Sequence, residues 1–79
     1  MPLAFVLIST EPDHTESVLE ALRKSGAVKE AYMVYGVYDI VAKVKADTMV
    51  NLNEIVTWHV RRLDNIRSTI TITVRDETK

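Results

Sequence analysis

The chain opens on an unbroken apolar run, Leu3-Ala4-Phe5-Val6-Leu7-Ile8, that closes in Ser9-Thr10. A run this short suits a strand. Alternation puts Leu3, Phe5 and Leu7 on one face and Ala4, Val6 and Ile8 on the other. A strand apolar on both faces expects cover on both. Pro12-Asp13 interrupts the run, and Asp13 is the expected N-cap of a helix, with Glu16 completing a capping-box pair. Thr15, Val18, Leu19 and Leu22 then recur at i, i+3, i+4 and i+7, the stripe of an amphipathic helix. Arg23-Lys24 suit its last turn and Gly26 its stop.

Residues 28–45 read as a hairpin. Val28 to Tyr35 is rich in β-formers, and Gly36-Val37 is a two-residue turn with glycine first, as type II′ prefers. Beyond it, Tyr38, Ile40, Ala42 and Val44 alternate with Asp39, Val41, Lys43 and Lys45. Asp47 or Thr48 caps a second helix whose apolar face is Met49, Leu52, Ile55, Val56, His59 and Leu63. After an Asp64-Asn65 turn, a last strand from Ile66 to about Arg75 sets Ile66, Ser68, Ile70, Ile72 and Val74 against Arg67, Thr69, Thr71, Thr73 and Arg75. The strand–helix–strand unit occurs twice, with Leu3, Asp13 and Ala31 falling near Tyr38, Thr48 and Ile66. The predicted class is α+β, with the ferredoxin-like order β-α-β-β-α-β. Right-handed crossovers put both helices on one face of a four-stranded antiparallel sheet. The other face stays bare, with apolar residues of the first strand and the threonine row of the last expected on it. Such a face is an interaction surface.

Composition narrows the function. Seventy-nine residues make one domain, spanning 1–79. The chain has no cysteine, so disulfides and thiolate metal sites are excluded. No run of about 18 apolar residues exists to cross a membrane, and the N-terminus lacks the basic segment of a secretory signal, so a cytoplasmic protein is expected. Ten Lys and Arg against eleven Asp and Glu give a net charge of −1, which argues against direct DNA binding. Folding should remove roughly 8,000 Å² of surface from water. At ~25 cal/mol/Å² on the ~60% of it that is apolar, this contributes about 120 kcal/mol. Ordering the chain at ~1.5 kcal/mol per residue costs about the same. With no disulfide or metal in reach, self-association is the expected support.

The side chains that could carry catalysis are sparse. His14 sits beside the first helix start and His59 on or at the edge of the second helix's apolar face, and no zinc spacing joins them. No catalytic residue, metal site or cofactor is expected. Arg61, Arg62 and Arg67 complement a helix end. Tyr32, Tyr35 and Tyr38 lack the basic-Gly-aromatic run of an RNA-binding sheet. Phe5 and Trp58 read as core or interface anchors. The hairpin tip asks for more than packing. In Tyr35-Gly36-Val37-Tyr38-Asp39, glycine lets backbone N–H groups approach a small ligand, which can offer a carboxylate to them and an ammonium to Asp39.

Val34-Tyr35-Gly36-Val37-Tyr38-Asp39 resembles the V-x-G-x-Y-D hairpin of the RAM domain, the effector-binding half of the Lrp/AsnC (leucine-responsive, feast/famine) transcriptional regulators. Ile66-Arg67-Ser68-Thr69-Ile70-Thr71 resembles that family's V-x-x-T-x-T closing strand. The resemblance runs from Leu3 to about Asp76. Because residue 3 already begins the RAM-like strand, no helix-turn-helix DNA-binding domain is expected, and the chain looks like a stand-alone RAM protein. The family implies sheet-to-sheet dimers (the dimeric α+β barrel), rings of dimers, and amino-acid effectors bound near the hairpin between dimers. The expected function is thus a non-enzymatic, amino-acid-responsive homo-oligomer, acting alone or with a full-length Lrp/AsnC regulator. Gly36, Tyr38 and Asp39 form its expected effector loop, with Thr69 and Thr71 as partners. Two other readings are a small dimeric α+β-barrel enzyme, an isomerase or monooxygenase using His59 or Asp39 in a closed pocket, and an ACT-like allosteric fragment pairing through strand edges.

Overall fold

The computed structural model describes residues 2–74. Its elements are β1 (Leu3–Thr10), α1 (Thr15–Lys24), β2 (Glu30–Met33), β3 (Ile40–Lys45), α2 (Met49–Ile55), a π-helical continuation of α2 (Val56–Arg61), and β4 (Ile66–Thr73). The strands form one four-stranded sheet in the order β2-β3-β1-β4, with every neighbouring pair antiparallel. This is the ferredoxin-like α+β arrangement predicted from the pattern. β1 lies inside the sheet, between β3 and β4, and that position is why its sequence is apolar throughout.

The core fills one side only. Ala4, Val6 and Ile8 of β1 and Ile40, Ala42 and Val44 of β3 are all fully buried. Against them pack Val18, Leu19 and Leu22 of α1, Leu52 of α2, and Val56 and Val60 of the π-helical segment. Each such aliphatic side chain contributes about 1.5–3 kcal/mol by leaving water. On the other side no element of the described residues covers the sheet. Leu7 stands there between Val41 and Ile70, and Phe5 between Lys43 and Ile72. Ile70 and Ile72 are 45% and 49% exposed, and Tyr32, opposite Val41, is 53% exposed.

The threonine row does not lie on this open face. The β1–β4 register shifts between Ser9 and Thr10: Ser9 opposes Ser68, but Thr10 opposes Ile66. Arg67 is the extra residue of a β-bulge, which reverses the alternation. Ile66 therefore packs on the core. Thr69 and Thr71, opposite the buried Ile8 and Val6, fall on the helix side, and the isoleucines take the open face.

The helix starts follow local chemistry. Thr48 caps α2, its hydroxyl accepting from the Asn51 N–H at 3.1 Å. Asp13 does not cap α1. The cap position is His14, with no side-chain bond to the helix, and Asp13 turns the chain at φ 69°. Aspartate tolerates that left-handed conformation, and Asp13 is spent on the turn. Gly26, at φ 77°, stops α1 as expected. Arg75 and Asp76, assigned above to the last strand and its end, lie outside the described residues.

Candidate functional site

The connection between β2 and β3 is longer than a two-residue turn. β2 ends at Met33, which pairs with Ile40, and the Val34 N–H donates to the Asp39 carbonyl at 2.9 Å. Residues 34–39 make the loop. Asp39 also reaches the other neighbour of β3, its N–H donating to the Ile8 carbonyl of β1 at 2.9 Å. Gly36 sits at φ 152°, which a side chain adopts only under strain, although a Cβ there would meet nothing within 4 Å. Tyr35 and Val37 flank it and project fully into solvent.

Asp39 ties this loop to the body. Its Oδ2 accepts from the Thr10 N–H at 2.9 Å and lies 3.4 Å from the Thr10 hydroxyl. The Thr10 and Thr15 hydroxyls share a hydrogen bond at 2.7 Å. Thr10 is the one buried polar residue among those described, and it stands at the bulge where the β1–β4 ladder is interrupted. The Thr10 N–H points to the β3 side, beyond the last β1–β3 pair at Ile8 and Ile40, and the Asp39 carboxylate supplies its partner there.

The five residues expected to form an effector site are thus partly brought together. Across β1, Ile8 pairs with Ile40 on one side and Thr69 on the other, so Asp39, the neighbour of Ile40, stands one residue out of register with Thr69. Thr71 lies one rung farther along β4, beside Val6. Tyr38 is half-buried at the base of the loop, and Gly36 is held away at its tip.

A second concave region was not foreseen. An open groove of about 690 Å³ runs between α2 with its π-helical continuation and the strand ends, lined by Lys29, Lys45, Ala46, Asp47, Asn51, Glu54, Ile55, Trp58 and His59. Trp58 is 59% exposed and His59 is exposed, while Val60 takes the buried position. The π-helical segment changes the period, so Val56 and Val60 turn inward and His59 leaves the apolar face. The Arg62 guanidinium sits 4.3 Å above the Trp58 ring. One signal was legible: Asn51, Glu54, Ile55 and Trp58 recur at i, i+3, i+4 and i+7, a second stripe beside the core stripe. Among the described residues, His59 lies on this open groove and Asp39 is bonded to Thr10.

At the edge of the open sheet face, the Tyr32 hydroxyl donates to Glu30 Oε1 at 2.9 Å. That bond and the carboxylate's charge hold the phenol above its ordinary pKa. No helix of the described residues is long and apolar enough to cross a membrane.

Comparison with known proteins adds to this picture. Residues 3–79 match the family described as the Lrp/AsnC ligand binding domain. The chain is 32% identical over 81 aligned residues to an uncharacterized HTH-type transcriptional regulator from Pyrococcus furiosus, covering 94% of this chain and 54% of that protein. The chain therefore spans about half the length of this curated relative. The structure of a protein from Thermus thermophilus superposes with a TM-score of 0.91 at 30% identity, over 100% of this chain and 99% of that one. Escherichia coli AsnC superposes with a TM-score of 0.87 at 27% identity, over 96% of this chain and 52% of that one.

Proposed function

The chain belongs to the Lrp/AsnC ligand binding domain family, and we propose that it acts as a non-enzymatic regulatory module that assembles with copies of itself and responds to an amino acid. The observation that carries this reading is the open sheet face. Leu3, Phe5, Leu7, Val41, Ile70 and Ile72 share one side of the sheet, and no element among the described residues covers them. A second copy, related by a two-fold axis, presents the same apolar patch and covers it. The projecting hairpin loops then serve as contacts between dimers, which close into a ring.

In this reading the whole chain is one ligand-binding and oligomerisation domain, working in the cytoplasm without contacting DNA itself. It acts alone or by joining a full-length regulator of the same family. The effector sits at the hairpin. Backbone N–H groups around Gly36 take its carboxylate, and Asp39 takes its ammonium. With Oδ2 held by Thr10, Oδ1 is the oxygen offered to the ligand. Tyr38 forms a wall, and Thr69 and Thr71 contribute hydroxyls. Because the loop also lies in the dimer–dimer contact, binding and assembly are coupled.

Light scattering at micromolar protein tests the assembly: a mass of at least a dimer is expected, and a monodisperse 9.0 kDa species refutes it. A thermal-shift screen of the standard amino acids tests the effector. A ligand bound only by the native state raises Tm with concentration. A flat screen refutes the amino-acid response and leaves the assembly result standing by itself.

A further inference from the structure

Three elements meet at Thr10, the last residue of β1. Its N–H donates to Asp39 Oδ2 of the hairpin at 2.9 Å. Its hydroxyl lies 2.7 Å from the hydroxyl of Thr15, the first residue of α1, and 3.4 Å from the same Asp39 oxygen. Beside it, the Glu11 N–H donates to the Asn65 carbonyl, just ahead of β4, at 2.9 Å. Thr15 stands on the apolar stripe of α1 with Val18, Leu19 and Leu22. A hydroxyl there is costly without a partner, and Thr10 supplies one. Proton counting sets the direction of these bonds. An ionised carboxylate only accepts, and each threonine hydroxyl carries one proton. With the Thr10 proton turned toward Asp39, a lone pair on the Thr10 oxygen accepts the Thr15 proton. The chain from Thr15 through Thr10 to Asp39 then runs donor to acceptor throughout, and bonds aligned in this way polarise one another.

We propose that Thr10 and Thr15 are positioning residues for Asp39, and that through them the hairpin loop and the start of α1 respond as one unit. Thr10 holds Oδ2 by its N–H and its hydroxyl, so the carboxylate is fixed and Oδ1 is left for a ligand. Thr15 holds the Thr10 hydroxyl in the orientation that faces Asp39. The coupling to an effector rests on the amino-acid reading of the hairpin. An ammonium at Oδ1 draws charge away from Oδ2, loosens the Thr10 hydroxyl and so reaches the first turn of α1. By linkage, loosening the chain at its α1 end weakens effector binding in turn.

Amide hydrogen exchange, followed by NMR on the ligand-free protein, tests the relay without an effector. Thr15→Val keeps the side chain's shape at a half-buried position and removes its hydroxyl. It should speed exchange of the Thr10 and Asp39 amides about two- to tenfold, the worth of one hydrogen bond. Amides toward the Leu3 and Lys45 end of the β1–β3 ladder should keep their wild-type rates. Thr15→Ser, which restores the hydroxyl, should return the Thr10 and Asp39 rates as well. Calorimetric titration with the standard amino acids, one at a time, then reads the effector site. Thr15→Val should weaken whichever of them the wild type binds by about threefold or more, and Thr15→Ser should recover it. Thr10 and Asp39 rates unchanged in Thr15→Val, or raised equally in Thr15→Ser, overturn the relay whatever the titrations give. An amino acid bound equally by wild type and Thr15→Val overturns the positioning role at the effector site. A wild type that binds none of them but shows the exchange pattern supports the relay and refutes the amino-acid reading alone.

Discussion

Glutamate placed at two neighbouring positions of β1 should produce two different failures. Val6 is fully buried against the helices, whereas Leu7 is half-buried and points to the open face. For Val6→Glu at pH 7, keeping the acid neutral in the core costs about 3.7 kcal/mol, from an ordinary pKa near 4.3 and ~1.36 kcal/mol per unit. Losing the valine adds about 1.5–3 kcal/mol. The total, roughly 5–7 kcal/mol, compares with about 4–12 kcal/mol for the whole stability of a domain this size. The expected result is unfolding or a Tm loss of about 20–55 °C. Lowering the pH to ~5 shrinks the protonation cost to about 1 kcal/mol, so the variant should partly recover there.

For Leu7→Glu the carboxylate reaches water in the free subunit, and the cost stays near that of a surface change, within about 0.5 kcal/mol. In a two-fold dimer each copy loses its leucine contact. That removes about 3–6 kcal/mol of association energy at ~1.5–3 kcal/mol per side chain, a factor of about 10²–10⁴ in Kd. Circular dichroism and light scattering on both variants check this pair of outcomes. Leu7→Glu should give a folded monomer and Val6→Glu an unfolded chain. A Leu7→Glu protein of wild-type mass, or a Val6→Glu protein melting like wild type, refutes the assignment of the two faces.

Three further outcomes are expected. Asp39→Ala should destabilise the fold by about 1–3 kcal/mol by stranding the buried Thr10 N–H, while Asp39→Asn keeps an acceptor and recovers most of it. If calorimetry shows Asn restoring stability but not amino-acid binding, the two roles of Asp39 separate, and equal ligand affinities for wild type and Asp39→Ala refute the effector role. Gly36→Val should cost about 1 kcal/mol from backbone strain alone, since its Cβ meets nothing within 4 Å. It should also alter ring formation, and an unchanged melt and mass refute both. Any duplex DNA binding by this chain of net charge −1 should vanish between about 50 and 200 mM salt, and sequence-specific anisotropy that survives the higher salt refutes the reading.

The order of elements was legible in the sequence because it depends on local periodicity. Val18, Leu19 and Leu22 can face one way only in a helix, and Ile40, Ala42 and Val44 only in a strand. The open face was legible too, since an apolar β1 with helices on one side leaves Phe5 and Leu7 uncovered. The G-x-Y-D and T-x-T segments carried the family. What belongs on each face of β4 was decided by the tertiary structure. The bulge at Arg67 reverses the alternation, and a bulge answers to the partner strand, which the pattern of a single strand does not contain. Asp39's bond to Thr10 joins residues 29 positions apart, and Asp13 leaves its expected cap because the chain must turn there to bring α1 back over the sheet. The groove likewise exists only after folding: Lys29 and Lys45 come from the strand ends, and Glu54 and Trp58 from a helix whose change to π geometry no helical wheel anticipates. Local chemistry fixes each element. The charges and surfaces that meet around it depend on contacts distant in the chain, and those form only in the folded molecule.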